Sequence, residues 1–190
     1  MARGEQGDEP QFTPWRVVAR REVFAVPGQI SVAVESVELP DGRRVDDYWQ
    51  IKLADFVVVF AETAAGAIIC LRQYRHGPRR QSLELVAGRI DGGEDPLAAA
   101  RRELLEESGY VSQHWETLGA YTVSATQGIA TAHLFRASGA VAQQAPSSGD
   151  LEEAIVELLT PDRLIAAMRR GEIVTGTHLA ALALAMLGRS

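Results

Sequence analysis

Two near-continuous apolar runs stand close together in the middle of this 190-residue chain, residues 56–61 (FVVVFA) and 67–72 (AIICLR), parted by a short turn ending in Gly66. Strands with so little polar alternation have to be covered on both faces, so the chain needs layers on either side of one sheet. Other stretches read as strands of a more ordinary kind: 16–19, 22–26, 48–53, 117–124, 131–135 and 154–159. Residues 30–39 alternate apolar and polar almost throughout, as a half-exposed strand does. Pro40, Asp41 and Gly42 then form a turn, proline presetting one φ and glycine accepting a positive one.

Three helices are expected. Asp95 suits a cap and Pro96 the first helical position, the body runs to Ser108, and Gly109 is placed to end it. A second helix fits 160–170 before Gly171, and a third 177–187 before Gly188. Strands and helices mix without strict alternation, so the expected class is α/β, a mixed sheet between helical layers. The organisation read from the chain is a polar tail over residues 1–13, a strand-rich region over 14–52 and a main domain over 53–190, with 140–149 as a mobile loop.

Composition excludes several functions. The formal net charge is −6, from 19 basic and 25 acidic residues, which argues against a partner held by neutralising nucleic-acid phosphates. No segment approaches the roughly 18 apolar residues that span a bilayer, so no membrane partner is expected. The polar N-terminus lacks the apolar centre of a secretory signal. Cys70 is the single cysteine, which rules out an intramolecular disulfide and points to a cytoplasmic location. None of the four histidines, among them His76, His133 and His178, has a partner at zinc-ligand spacing, and they read as structural.

The chemistry lies between Gly88 and Tyr110. A glycine-rich loop (GRIDGGE) leads into a helix carrying Glu103, Glu106 and Glu107. At about 100° per residue these carboxylates share one face. Such crowding costs a few tenths of a kcal/mol per close pair, roughly, and Arg102 offsets only part of it. A hard divalent cation wants oxygen ligands of this kind, and magnesium prefers to share them with substrate phosphates. On the glutamates alone, a solvated acidic helix face is the better explanation of the pattern.

The ordered glycines and glutamates together resemble the Nudix box, G-x5-E-x7-R-E-U-x-E-E-x-G-U with U a bulky aliphatic residue. Gly88, Glu94, Arg102, Glu103, Leu104, Glu106, Glu107 and Gly109 match it in place, and Tyr110 departs from it at the last position. Leu71 to Gly77, Leu83 to Gly88 and Leu39 to Gly42 resemble the ADP-ribose pyrophosphatase and nucleoside diphosphate sugar branch. The resemblance implies an α/β/α sandwich preceded by a strand-rich extension, with homodimers formed through the N-terminal strands. It implies magnesium, or manganese in its place, held by Glu103, Glu107 and the carbonyl of Ala87, with Glu106 joining or orienting them. Arg102 would hold these glutamates and Glu94 would anchor the loop. Glu84 would face the same site from the preceding strand, and Arg75 would contact the diphosphate, where its planar fork suits phosphate. Glu153 is the expected general base with Glu152 second, and Trp49 the expected stacking partner of the base.

The implied activity is hydrolysis of the diphosphate linkage in a nucleotide sugar such as ADP-ribose, giving nucleoside monophosphate and sugar phosphate. Residues 124–128 (SATQG) lack the branch's usual proline, and no acid follows in 129–132, so the sugar itself does not follow from the resemblance. The alternative is a Nudix-fold module that binds a nucleotide without cleaving it.

Overall fold

The computed structural model describes residues 12–147, 149 and 153–188. Most of the expected tail, residues 1–11, and the second general-base candidate, Glu152, lie outside the described residues. The chain divides into two compact units, Met1–Lys52 and Leu53–Ser190.

The first unit carries a three-stranded sheet in the order β1 (Arg16–Val26), β2 (Ile30–Glu38), β3 (Arg44–Leu53). The sequence pattern breaks the first strand in two after Ala19, yet it runs unbroken, with register shifts between Val17 and Ala19 and between Glu22 and Phe24. Bulges of this kind let a strand whose alternation is imperfect stay paired. Trp15 meets Tyr48 edge-on at a centroid distance of 5.6 Å.

The second unit is built on a mixed sheet of eight strands. These are β4 (Phe56–Thr63), β5 (Ile68–Arg75), β6 (Arg80–Glu84), β7 (Val86–Arg89), β8 (Tyr110–Val111), β9 (His114–Val123), β10 (Ala130–Ala142) and β11 (Ala154–Leu159). β4 pairs parallel with β10, and the other pairings are antiparallel. The apolar runs become β4 and β5 at the centre. Alternate side chains of these strands feed two cores, one holding Val58, Phe60, Ile68 and Cys70, the other Val57, Val59, Ala61, Ile69 and Leu71.

Helix α1 (Pro96–Glu103) covers the second core with Ala99 and Ala100. Helices α2 (Pro161–Arg169) and α3 (Gly176–Leu187) cover the first with Leu164, Ala167, Ala181, Leu182 and Ala185. The result is an α/β/α sandwich with helices on both faces of a mixed sheet. Burial in the first core drives the Cys70 thiol up to about 12, which leaves it chemically quiet. Among the described residues no helix is long and apolar enough to cross a membrane.

Two local differences from the sequence pattern concern the site. The segment read as one helix to Ser108 is α-helical only to Glu103 and continues as a π-helical turn, Leu104–Ser108. Within that turn the Ser108 hydroxyl donates to the Leu104 carbonyl at 2.5 Å, a side-chain bond that competes with the α-helical ladder. The second difference is that β10 runs to Ala142, into the segment expected to be a loop, because Val141 and Ala142 pair with Val111 and Tyr110.

Candidate metal and phosphate site

Strand β7, the loop after it and the helix beyond are locked together by short-range chemistry. Asp95 caps α1, its carboxylate accepting from the N–H groups of Leu97 at 3.0 Å and Ala98 at 3.1 Å. The Glu94 N–H donates to the Asp91 carbonyl at 2.9 Å, tightening the loop ahead of the cap. Arg102 reaches back across it: Nε and Nη2 donate to the two carboxylate oxygens of Glu94 at 3.0 and 2.9 Å. Nη2 also donates to the Arg89 carbonyl at 2.9 Å. Such a forked pair is the strong, oriented form of an ion pair. The Arg102 hydrogen bonds hold the Glu94 carboxyl below its ordinary range, and Glu94 in turn raises the guanidinium, which stays charged throughout.

The remaining nitrogen of Arg102, Nη1, donates to Glu103 at 2.7 Å and Glu106 at 3.1 Å. One cation therefore ties together three of the four box glutamates. The fourth, Glu107, accepts the Ala87 N–H at 2.9 Å. Glu103 lies against the neighbouring residue, since a Cβ added at Gly88 would stand 1.9 Å from its carboxyl carbon. Two buried carboxylates, Glu103 and Glu107, thus meet two consecutive residues of β7, while Glu106 is partly exposed beside them. Tyr110, where the box pattern expects an aliphatic residue, packs its ring against the α1 core.

The donor chemistry fits magnesium or manganese: hard oxygens, a glycine cradle beneath one carboxylate, and a cation that orients the rest. Among the described residues no three His, Cys, Asp or Glu side chains converge as a metal-holding group.

Glu84 and Arg75 form a second cluster. Arg75 donates through Nε at 2.9 Å and Nη2 at 2.6 Å to the same Glu84 oxygen. Gln73 also donates to that oxygen, at 3.3 Å, and the Thr175 hydroxyl donates to the other at 3.3 Å. Burial is the largest single influence and works against the Glu84 charge, but Arg75 and the other groups around the carboxylate together hold it below its ordinary range. His178 lies nearby, its Nε2 at 3.9 Å from Glu84, and burial pushes its imidazole down to about 4, so it is neutral. Arg75 keeps about a third of its side chain exposed.

The structure therefore brings Ala87, Glu94, Arg102, Glu103, Glu106 and Glu107 together, and separately pairs Arg75 with Glu84. Glu153 is exposed immediately before β11, whose first residue Ala154 stands opposite Gln73. Trp49 lies on β3 in the first unit, half exposed. Gln73, Thr175 and His178 are the members that sequence reasoning missed. No linear pattern joins residues 73, 84, 175 and 178, and a helix expected to begin at residue 177 left Thr175 outside it.

A NUDIX domain model matches residues 51–176. The ADP-ribose pyrophosphatase of Bacillus subtilis is 33% identical over 123 residues, a stretch covering 64% of this chain and 65% of that protein, just under two thirds of its length. A CMP-5'-(N-acetyl-N-hydroxy-3-aminopropyl)phosphonate hydrolase of Streptomyces rubellomurinus is 29% identical over 161 residues, 84% of this chain and 77% of that one. The crystal structure of an ADP compounds hydrolase superposes with a TM-score of 0.80 at 16% identity, covering 94% of this chain and 96% of the other, which shows a shared fold. With the family model matched over more than half its length and the box residues assembled around Ala87 and Gly88, the chain belongs to the Nudix hydrolase family, related to its ADP-ribose pyrophosphatase branch.

Proposed function

We propose that the protein hydrolyses the diphosphate linkage of a nucleoside diphosphate sugar such as ADP-ribose, releasing nucleoside monophosphate and sugar phosphate with magnesium as cofactor and manganese able to replace it. The observation that carries this is the meeting of Glu103 and Glu107 with the Gly88 and Ala87 backbone of β7. Glu103, Glu107 and the Ala87 carbonyl would hold the cation, with Glu106 beside them. A bound divalent cation supplies Lewis-acid polarisation of the phosphoryl oxygens.

The rest falls to the chain. Arg102 keeps Glu103 and Glu106 from swinging apart and closes the loop through Glu94. Arg75, with Glu84 fixing the plane of its guanidinium, receives the diphosphate. Glu153, or Glu152 in its place, takes a proton from the water that attacks phosphorus as the anhydride P–O bond breaks and its electrons leave with the phosphate. Trp49 stacks on the base. The same reading has the protein cytoplasmic, as its single buried cysteine permits, and homodimeric through β1 to β3.

The relatives from Bacillus and Streptomyces are named for an ADP-ribose and a CMP-linked phosphonate, which supports a nucleotide substrate without choosing the group attached to it. Phosphate release coupled to a phosphatase, across nucleoside diphosphate sugars and dinucleotides with magnesium, tests the reading. One dominant substrate is expected, and Glu107→Gln should lower its turnover by roughly 100-fold or more, the scale of losing a central electrostatic group. Unchanged turnover in that variant overturns the assignment. Stable binding without product, measured by calorimetry, favours the binding module instead.

A further inference from the structure

The strand that delivers Ala87 and Gly88 changes partner just before it reaches them. β6 pairs with β5 as far as Glu84, opposite Leu71, and β7 pairs with β4 from Val86, opposite Val59. Leu85 belongs to neither ladder and is 1% exposed, so its N–H has no water to turn to. Along β6, N–H groups alternate between the β5 ladder and the outer edge, and those of Leu83 and Leu85 point outward. The segment leading into α3 covers that edge. Leu83 donates to the Glu172 carbonyl at 2.9 Å, Val174 donates to the Ser82 hydroxyl at 3.4 Å, and the Thr175 hydroxyl donates to Glu84.

Past Gly176 the chain is helical, and a helix turns its carbonyls along its own axis. The acceptor is a side chain instead: the Leu85 N–H donates to Nδ1 of His178 at 3.0 Å. That bond also fixes the imidazole tautomer, putting the proton on Nε2, which faces Glu84. His178 is 3% exposed and belongs to the α3 layer, whereas Glu103 and Glu107 approach the same strand from the α1 layer. Segment 84–88 is thus held at Leu85 from the α3 layer and at Ala87 and Gly88 from the α1 layer.

We propose that His178 is a positioning residue of the metal site, fixing through the Leu85 N–H the register in which β7 offers the Ala87 carbonyl and the Gly88 backbone to Glu103 and Glu107. The proposal rests on reading those groups as the metal site. Its test is Mn²⁺ binding by calorimetry without substrate, together with hydrogen exchange at the Leu85 amide. His178→Leu fills similar space without an acceptor. His178→Asn returns an oxygen to the place of Nδ1, the same number of bonds from Cα, and His178→Gln carries its oxygen one bond further out.

His178→Leu should weaken Mn²⁺ binding about 10-fold, the low end for losing a partner behind a metal ligand, and speed exchange at Leu85. His178→Asn should stay within about twofold of the wild type by the same measure. If the leucine variant does not fold, the contrast between asparagine and glutamine decides, since only the position of the acceptor separates them. Equal Mn²⁺ affinity in all folded variants, or equal loss in asparagine and glutamine, overturns the proposal while leaving the metal site standing. Wild-type protein that binds no Mn²⁺ overturns the metal-site reading and this proposal together.

Discussion

Gly88 shows how one missing carbon shapes the site. Its φ lies in a region any residue adopts, so backbone freedom is not why glycine stands there. Space is: a Cβ would lie 1.9 Å from the Glu103 carboxyl carbon and one of its oxygens, and 2.4 Å from the other oxygen. Alanine would therefore displace a carboxylate rather than unfold a strand. Gly88→Ala should cost roughly 100-fold in turnover, the scale of an ångström of misplacement at a reacting centre, with the melting temperature nearly unchanged. Steady-state kinetics beside a thermal melt check this, and a large drop in melting temperature would show the strand had failed instead.

At the scale of elements, the helix that carries the glutamates is defined by its ends. Asp95 and Pro96 start it, and Gly109 stops it at φ 75°. Here glycine answers both conformation and space, because a Cβ would stand 2.1 Å from the Gln144 carbonyl oxygen, which is backbone and unable to swing away. The Gly109 carbonyl also accepts from Gln143 at 2.9 Å and Gln144 at 3.2 Å, tying the helix end to the chain beyond β10. Gly109→Ala should destabilise the fold by at least about 2 kcal/mol, the level of a strained special backbone position, as read from denaturant unfolding. The π-helical turn ahead of it sets the spacing from Glu103 to Glu107, which an ideal α-helix would space differently.

For the whole molecule, two expectations follow from burial and exposure. His178 is neutral in the fold because burial lowers it to about 4, against an ordinary value near 6.5. Between those values the unfolded chain binds more protons than the folded one, so stability is complete above about pH 6.5 and falls as pH drops toward 4. The loss over that window is roughly 3 kcal/mol, and the lowered carboxyl of Glu84 adds to it at the acid end. Melting temperatures taken from pH 7 to pH 4.5 should fall by several degrees, and less steeply in His178→Asn. The second expectation concerns β1, which is exposed almost from end to end and leaves Val17, Val23 and Phe24 about half uncovered. An unpaired strand edge with apolar side chains calls for a cover, and sedimentation at micromolar concentration should show a dimer of the 20.6 kDa chain. A monomer would remove the dimer from the proposed function.

Much of this protein is written locally. The buried central strands, the capped helices and the box from Gly88 to Tyr110 each depend on residues a few positions apart, whose apolar period, turn chemistry and charge spacing can be read along the chain. The carboxylate face could be read for the same reason, since its members share a single helical segment. What the chain order does not carry is pairing at a distance. That Leu85 falls between two ladders, that α3 returns to cover it with His178, and that Glu84 gathers Gln73, Arg75 and Thr175 follow from how layers pack and which buried donors packing leaves without water. The sequence by itself determined the layered class, the helix ends and the presence of a Nudix box. Only the tertiary structure decided which groups stand behind it, because a buried polar atom takes whichever partner the packed core brings within reach.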